Sequence, residues 1–213
     1  MVGRCSQEHV KEVDSSLPGI SRVDAPEHPI IFTKAPGSLA GPGDIILYPH
    51  GVSDQVDYEG ELAVIIGMGG KAIPAERAYD HVFGYTVLND ITARDVQKRH
   101  QQWYLGKSLD TFCPMGPWVV AAADVDVAAG LRLRTWVNGE LRQDGETSDM
   151  IFDIPTLIAT VSAAVMLAPG DVIATGTPAG VGAAFKPPRW LRPGDVVRVA
   201  IDGVGELENT VGA

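Results

Sequence analysis

Residues 59–67 read Glu-Gly-Glu-Leu-Ala-Val-Ile-Ile-Gly, and the reading of the whole chain turns on them. Residues 62–66 are an unbroken apolar run closed by Gly67, the pattern of a buried strand ending in a turn. Side chains alternate faces along a strand, so Glu59 and Glu61, two residues apart, point the same way. Two like charges beside a core repel each other unless a cation neutralises them. Such a pair favours a hard divalent ion with oxygen ligands, Mg2+, Mn2+ or Ca2+. A third carboxylate is expected, and Asp90 follows a strand over residues 83–88 that could lie alongside. The opposing reading is an exposed strand end with ordinary surface acids, because E-x-E is a common pattern.

Outward from this strand, residues 44–48 form a shorter one, and 74–82 a short helix with Pro74 near its start. A polar helix is predicted over 92–103, followed by a loop to Pro117 that contains Lys107. Asn138-Gly139 suits a type I′ turn and joins strands 131–137 and 140–143. Asp202-Gly203 joins 196–201 to 206–211 in a second hairpin. Between the hairpins lies a helix over 154–167, then Pro169-Gly170-Asp171 and a strand over 172–175. The phrase PGDV occurs at 169–172 and again at 193–196; it is too short for a repeat and reads as one turn used twice. The first 35 residues are polar, look helical only over 8–13, and read as a mobile arm or lid. No linker composition divides the chain, so one β-rich α+β domain over 1–213 is expected.

The 213 residues suffice for one sizeable core. With 45% apolar and 21% charged residues, the composition is globular rather than disordered. A net charge of −10 repels phosphate backbones and anionic lipid, so neither nucleic acid nor a membrane is an expected partner. Two cysteines, Cys5 and Cys113, cannot build a disulfide framework or a multi-cysteine zinc site. No secretory signal is visible, and a cytoplasmic setting is expected. The longest apolar stretch, 158–168, is too short to span a bilayer.

Other residues could carry chemistry. His9 and Glu12, three apart, would share a helix face, where a carboxylate orients an imidazole and raises its basicity. The plainer reading is a surface pair on a polar arm. Lys107 could stabilise a developing enolate, or be a solvated loop lysine. Residues 175–182, TGTPAGVG, offer free amides and two hydroxyls to an anion but lack the ending of a nucleotide P-loop. Residues 67–72 match G-x-G-x-x-A, a dinucleotide fingerprint, with Asp90 at a suitable distance. Against that, the helix begins late and no further strand–helix alternation follows. Trp103, Trp118, Trp136 and Trp190 read as core or interface aromatics, and Cys113 as a buried thiol.

Several long stretches together resemble the fumarylacetoacetate hydrolase family: 56–67, 88–97, 106–118, 138–155, 169–182 and 193–211, in the family's order. The resemblance implies a mixed β-sheet roll of that family's C-terminal-domain type, and a homodimer. It implies that Glu59, Glu61 and Asp90 hold Mg2+ or Mn2+, and that Lys107 acts beside the metal. Gln97 and Thr177 match substrate-binding positions, and His9 and Glu12 match the H-x-x-E dyad of the lid. Before that dyad the family usually reads Gly-x-Asn-Tyr; here it is Gly3-Arg4-Cys5-Ser6, and the small N-terminal domain of longer members is not expected.

The implied activity is metal-dependent C–C cleavage in a small 2-oxo or 1,3-dicarbonyl acid, through an enolate, by acylpyruvate- or fumarylpyruvate-type hydrolysis. An oxaloacetate-type decarboxylase and an isomerase or hydratase of 2-oxo-dienoic acids are the alternatives within that chemistry. A domain that binds metal and oxo acid without turnover is the alternative of another class.

Overall fold

A computed structural model of the protein describes residues 1–3 and 26–213. The strands are β1 (Val2–Gly3), β2 (Ile30–Ile31), β3 (Leu39–Ala40), β4 (Ile45–Ile46), β5 (Val56–Asp57), β6 (Gly60–Ile66) and β7 (Val82–Asn89). They continue with β8 (Thr92–Ala93), β9 (Cys113–Ala121), β10 (Arg132–Val137), β11 (Glu140–Glu146), β12 (Val172–Ala174), β13 (Val196–Ile201) and β14 (Gly205–Val211). Among the described residues, three α-helices accompany them: α1 (Arg94–Arg99), α2 (Tyr104–Lys107) and α3 (Ile154–Ala164). Two five-stranded sheets dominate, in the orders β12-β6-β7-β9-β3 and β11-β10-β13-β14-β4. Each mixes antiparallel pairs with one parallel pair at its edge, β3 with β9 and β4 with β14.

The run at 62–66 is apolar throughout because β6 lies between β12 and β7 and is covered on both faces. Leu62, Val64 and Ile66 pack with Tyr85 and Val87 of β7 against Leu133, Val199, Ile201 and Leu207 of the other sheet. Helix α3 closes this core with Ile154, Leu157 and Ile158 on one stripe. The Asp153 carboxylate caps α3 by accepting the Thr156 N–H, and Pro155 needs no donor in the first turn. A second core surrounds Tyr58, Ile91, Phe112 and Leu191. The two sheets approach closely at Gly60, where an added Cβ would meet Thr135 Oγ1, with Val199 Cγ1 at 2.9 Å and Leu133 Cδ2 at 3.2 Å. Gly60→Ala is therefore expected to cost about 1–3 kcal/mol, read as a lower urea midpoint with unchanged slope.

Both hairpins form as expected. Asn138 and Gly139 both have positive φ, +51° and +80°, as a type I′ turn requires. The two PGDV phrases make the same turn: Asp171 accepts the Ala168 N–H, Asp195 accepts the Arg192 N–H, and each leads into a strand. Other expectations are corrected. Residues 113–121, expected partly as loop, form β9, which pairs with both β7 and β3. The 92–103 helix shortens to α1, because Thr92–Ala93 pairs with Val56–Asp57 instead. Lys107 ends α2 rather than standing in an open loop. Residues 75–81 form a 3-10 helix, so 67–72 opens no α-helix and lacks the helix N-terminus a dinucleotide would need. Of the two places expected for the tryptophans, core or interface, the buried core holds none of the four, and Trp118 is 61% exposed with its indole N–H on the Val204 carbonyl. The helix expected over 8–13 lies outside the described residues. Of the arm expected over 1–35, the described ends pair: Val2–Gly3 lies antiparallel to Ile30–Ile31. No helix among the described residues is long and apolar enough to cross a membrane.

Candidate metal centre

The centre forms where β6 begins and β7 ends. Gly60 pairs with Asn89, so Glu59 and Asp90, the residues just beyond, lie opposite each other. The Asp90 N–H donates to the Glu59 carbonyl at 2.8 Å, and the Glu59 N–H to Asn89 Oδ1 at 3.1 Å. Carboxylate oxygens of Glu59, Glu61 and Asp90 come within 4.8 Å of one another, and all three residues are buried. The strand pairing thus brings together the three acids singled out from the sequence.

Lys107, only 2% exposed, donates Nζ to Glu59 Oε2 at 2.5 Å and to Asp90 Oδ2 at 2.6 Å. Burial works against its charge, but Asp90 and Glu59 outweigh burial and hold its pKa above the ordinary value. Phe32 covers the ammonium with its ring centroid 5.1 Å away, and Trp103 packs edge-on against Phe32. Thr177 is buried, and the N–H of Gly176 beside it donates to Glu61 Oε2 at 2.9 Å. Among the described residues, Gln97, half-buried on α1, meets the acids only through Arg94, whose Nη1 lies 3.5 Å from Gln97 Oε1. His9 and Glu12 lie outside the described residues. Cys113 is buried as expected, and burial pushes its thiol up to about 11.

Four further residues shape the centre and were not singled out from the sequence. Arg94 bridges two buried acids, Nε to Asp57 Oδ2 at 2.9 Å and Nη2 to Glu59 Oε1 at 2.7 Å. Asp57 also accepts the N–H groups of Tyr58, Gly182 and Ala183. Lys34 donates to Asp90 Oδ1 at 2.5 Å and to the Ile91 carbonyl at 3.1 Å. Gln143 links Gly60 to Thr177. Asp57 carried a signal, since 57, 59 and 61 are acidic at a period of two.

The charges show what the centre lacks. Among the described residues, four buried carboxylates, Asp57, Glu59, Glu61 and Asp90, meet three cations, Lys34, Arg94 and Lys107. Among the described residues no cationic side chain pairs with Glu61. Burial first, then Asp90 and Glu59, push the Glu61 carboxyl well above its usual range. A positive charge beside Glu61 would offset this repulsion. A donor set made only of carboxylate oxygens suits a hard divalent ion such as Mg2+ or Mn2+.

A strand-rich fold burying three convergent carboxylates beside a lysine could hold a divalent ion through oxygen ligands. The chain matches the fumarylacetoacetate (FAA) hydrolase C-terminal family model over residues 1–212, and it belongs to that family. It is 53% identical over 211 residues to the oxaloacetate tautomerase YisK of Bacillus subtilis, covering 99% of this chain and 68% of that one. The chain spans about two thirds of the length of the curated relatives it matches. Among solved structures, a fumarylacetoacetate hydrolase from Exiguobacterium antarcticum superposes with a TM-score of 0.88 at 48% identity, over 100% of this chain and 73% of that one. A fumarylpyruvate hydrolase from Pseudomonas aeruginosa, in complex with Mn2+ and pyruvate, gives 0.85 at 32% identity, over 99% and 87%.

Proposed function

We propose that the chain is a divalent-metal-dependent enzyme acting on a small 2-oxo acid through its enolate, and that its reaction is the keto–enol tautomerisation of oxaloacetate. The observation that carries this reading is the buried convergence of Glu59, Glu61 and Asp90, with Lys107 paired to two of them. Tautomerisation moves one proton between C3 and the C2 oxygen and breaks no C–C bond. A divalent cation held by the three carboxylates would supply Lewis acidity toward the oxygens of an oxo acid. The protein's own groups would supply positive charge and hydrogen bonds. The Lys107 ammonium, held by Glu59 and Asp90, would place positive charge near the oxyanion of an enolate. Thr177 and the amides of its loop offer hydrogen bonds to a substrate carboxylate. The 53% identity to an oxaloacetate tautomerase favours proton transfer as the finer assignment. A homodimer, implied by the family resemblance, is part of the proposal.

C–C cleavage of an acylpyruvate is the second reading, favoured by the similarity to a fumarylpyruvate hydrolase that binds Mn2+ and pyruvate. Hydrolysis requires a base to take a proton from the attacking water, the role His9 and Glu12 would fill.

The test uses Mn2+-loaded and EDTA-treated protein, with oxaloacetate and acetylpyruvate followed by enol absorbance and proton NMR. Metal-dependent keto–enol equilibration with no loss of oxaloacetate is the expected result. Acetate plus pyruvate would mean hydrolysis instead, and His9→Ala should then abolish it while leaving Mn2+ bound. Pyruvate from oxaloacetate alone, above the free-metal background, would mean decarboxylation. An absence of any metal-dependent change would sink the enzymatic reading.

A further inference from the structure

We infer that Gln143 is a positioning residue that fixes the Thr177 hydroxyl as a hydrogen-bond donor toward an acceptor group of the substrate. The inference rests on the oxo-acid reading above. Gln143 lies in β11 with no exposed surface. Its Oε1 accepts the N–H of Gly60, the residue between Glu59 and Glu61, at 3.0 Å. Its Nε2 donates to Thr177 Oγ1 at 2.7 Å and to the Pro178 carbonyl at 2.9 Å.

These partners leave the amide one orientation. A backbone N–H can only donate and a carbonyl oxygen can only accept, so Oε1 must face Gly60 and Nε2 must face Pro178. The hydroxyl of Thr177 therefore receives a hydrogen from Gln143. Its own hydrogen meets no acceptor among the described residues. A buried hydroxyl in that state costs free energy until an acceptor arrives. A carboxylate or oxo oxygen satisfies it; an amine does not. The same loop is tied to the acidic centre one residue earlier, through the Gly176 N–H on Glu61. Gln143 thus ties the start of β6, between Glu59 and Glu61, to the loop that would hold the substrate.

The test measures binding rather than turnover. Mn2+, and then oxalate as an unreactive analogue with adjacent acceptor oxygens, are titrated calorimetrically into the full chain. Gln143→Met and Thr177→Val are each expected to weaken oxalate by about tenfold or more, the loss of a hydrogen bond to a charged group. The double variant should be no weaker than Thr177→Val alone, since both changes remove one relay. Thr177→Ser, which keeps the hydroxyl, should restore oxalate affinity. Mn2+ affinity should stay within about threefold, because Glu59 and Glu61 keep Arg94, Lys107 and Gly176 as partners. If Gln143→Met does not fold, Gln143→Asn replaces it with the same expected split, its amide being one methylene too short to span both partners. Unchanged oxalate affinity, additive losses, or a parallel fall in Mn2+ and oxalate affinity would each overturn the inference. A wild-type protein that binds Mn2+ but no oxalate would overturn the oxo-acid reading itself.

Discussion

Replacement of Glu61 by glutamine is expected to give a folded protein that Mn2+ no longer stabilises and whose turnover falls by about a hundred- to a thousandfold. The amide keeps the shape of the side chain and can still accept the Gly176 N–H that lies 2.9 Å from Oε2. What it removes is the negative charge at the one acid of the cluster without a cationic side chain on it among the described residues. Wild-type protein at a hundredfold excess of Mn2+ over Kd should gain about 2.7 kcal/mol. For a domain of this size that is a rise in Tm of roughly 5–11 °C. The variant should show almost none of that rise.

In EDTA the order should reverse. The folded-state pKa of Glu61 lies above its ordinary value, so the folded protein binds the extra proton more tightly than the unfolded chain. The stability this brings is present at low pH and is lost as pH rises through the raised pKa. The amide has no such loss, so the variant should equal or exceed metal-free wild type in Tm, with the gap widening toward high pH. A variant that keeps the full Mn2+ shift would remove Glu61 from the metal centre. A variant that unfolds in EDTA would show that the carboxylate is needed for packing instead.

The centre was legible where strand periodicity governs it. Glu59 and Glu61 share a face because they are two residues apart, and Asp90 joins them because β7 pairs with β6 up to Gly60–Asn89. Hairpins with Asn-Gly or Asp-Gly turns were legible for the same local reason. What escaped the sequence were partnerships across long separations. Lys34 sits 56 residues from Asp90 in a segment that looks like a polar arm, and nothing local marks it as a counter-ion. Strand β9 contains Pro114, Gly116 and Pro117, which argue for a loop; its place beside β7 and β3 overrides that local preference. Lys107 was singled out but expected in a loop, where its own residues left open a solvated lysine or one aimed at the acids, because a lone lysine gives no sign of the two acids that receive it.

The largest effect on stability should come from Arg94→Met, expected to cost about 3–5 kcal/mol. That corresponds to a fall in Tm of roughly 6–20 °C. Arg94 is one guanidinium between two buried carboxylates, and both Asp57 and Glu59 hold its charge above the ordinary range against the opposing effect of burial. Methionine fills similar volume but leaves Asp57 without its cation in a site that has no solvent exposure. Burial already raises the Asp57 carboxyl despite Arg94, so it has little capacity to remain ionised alone. Arg94→Lys should recover only part of the loss, because a single ammonium cannot reproduce a fork that reaches Asp57 through Nε and Glu59 through Nη2. Adding Asp57→Asn to Arg94→Met separates charge from hydrogen bonding. The amide removes the buried charge, yet one of its ends must face the N–H of Gly182 or Ala183, which now donate to Oδ1 and Oδ2. Partial recovery of Tm in the double variant is therefore expected, and full recovery would mean that those backbone contacts add little. Arg94→Met should also weaken Mn2+ by about ten- to a hundredfold, since Arg94 orients Glu59. A Tm within about 2 °C of wild type would mean the triad of Asp57, Arg94 and Glu59 does not act as a buried ionic array, since an unpaired buried charge cannot cost so little.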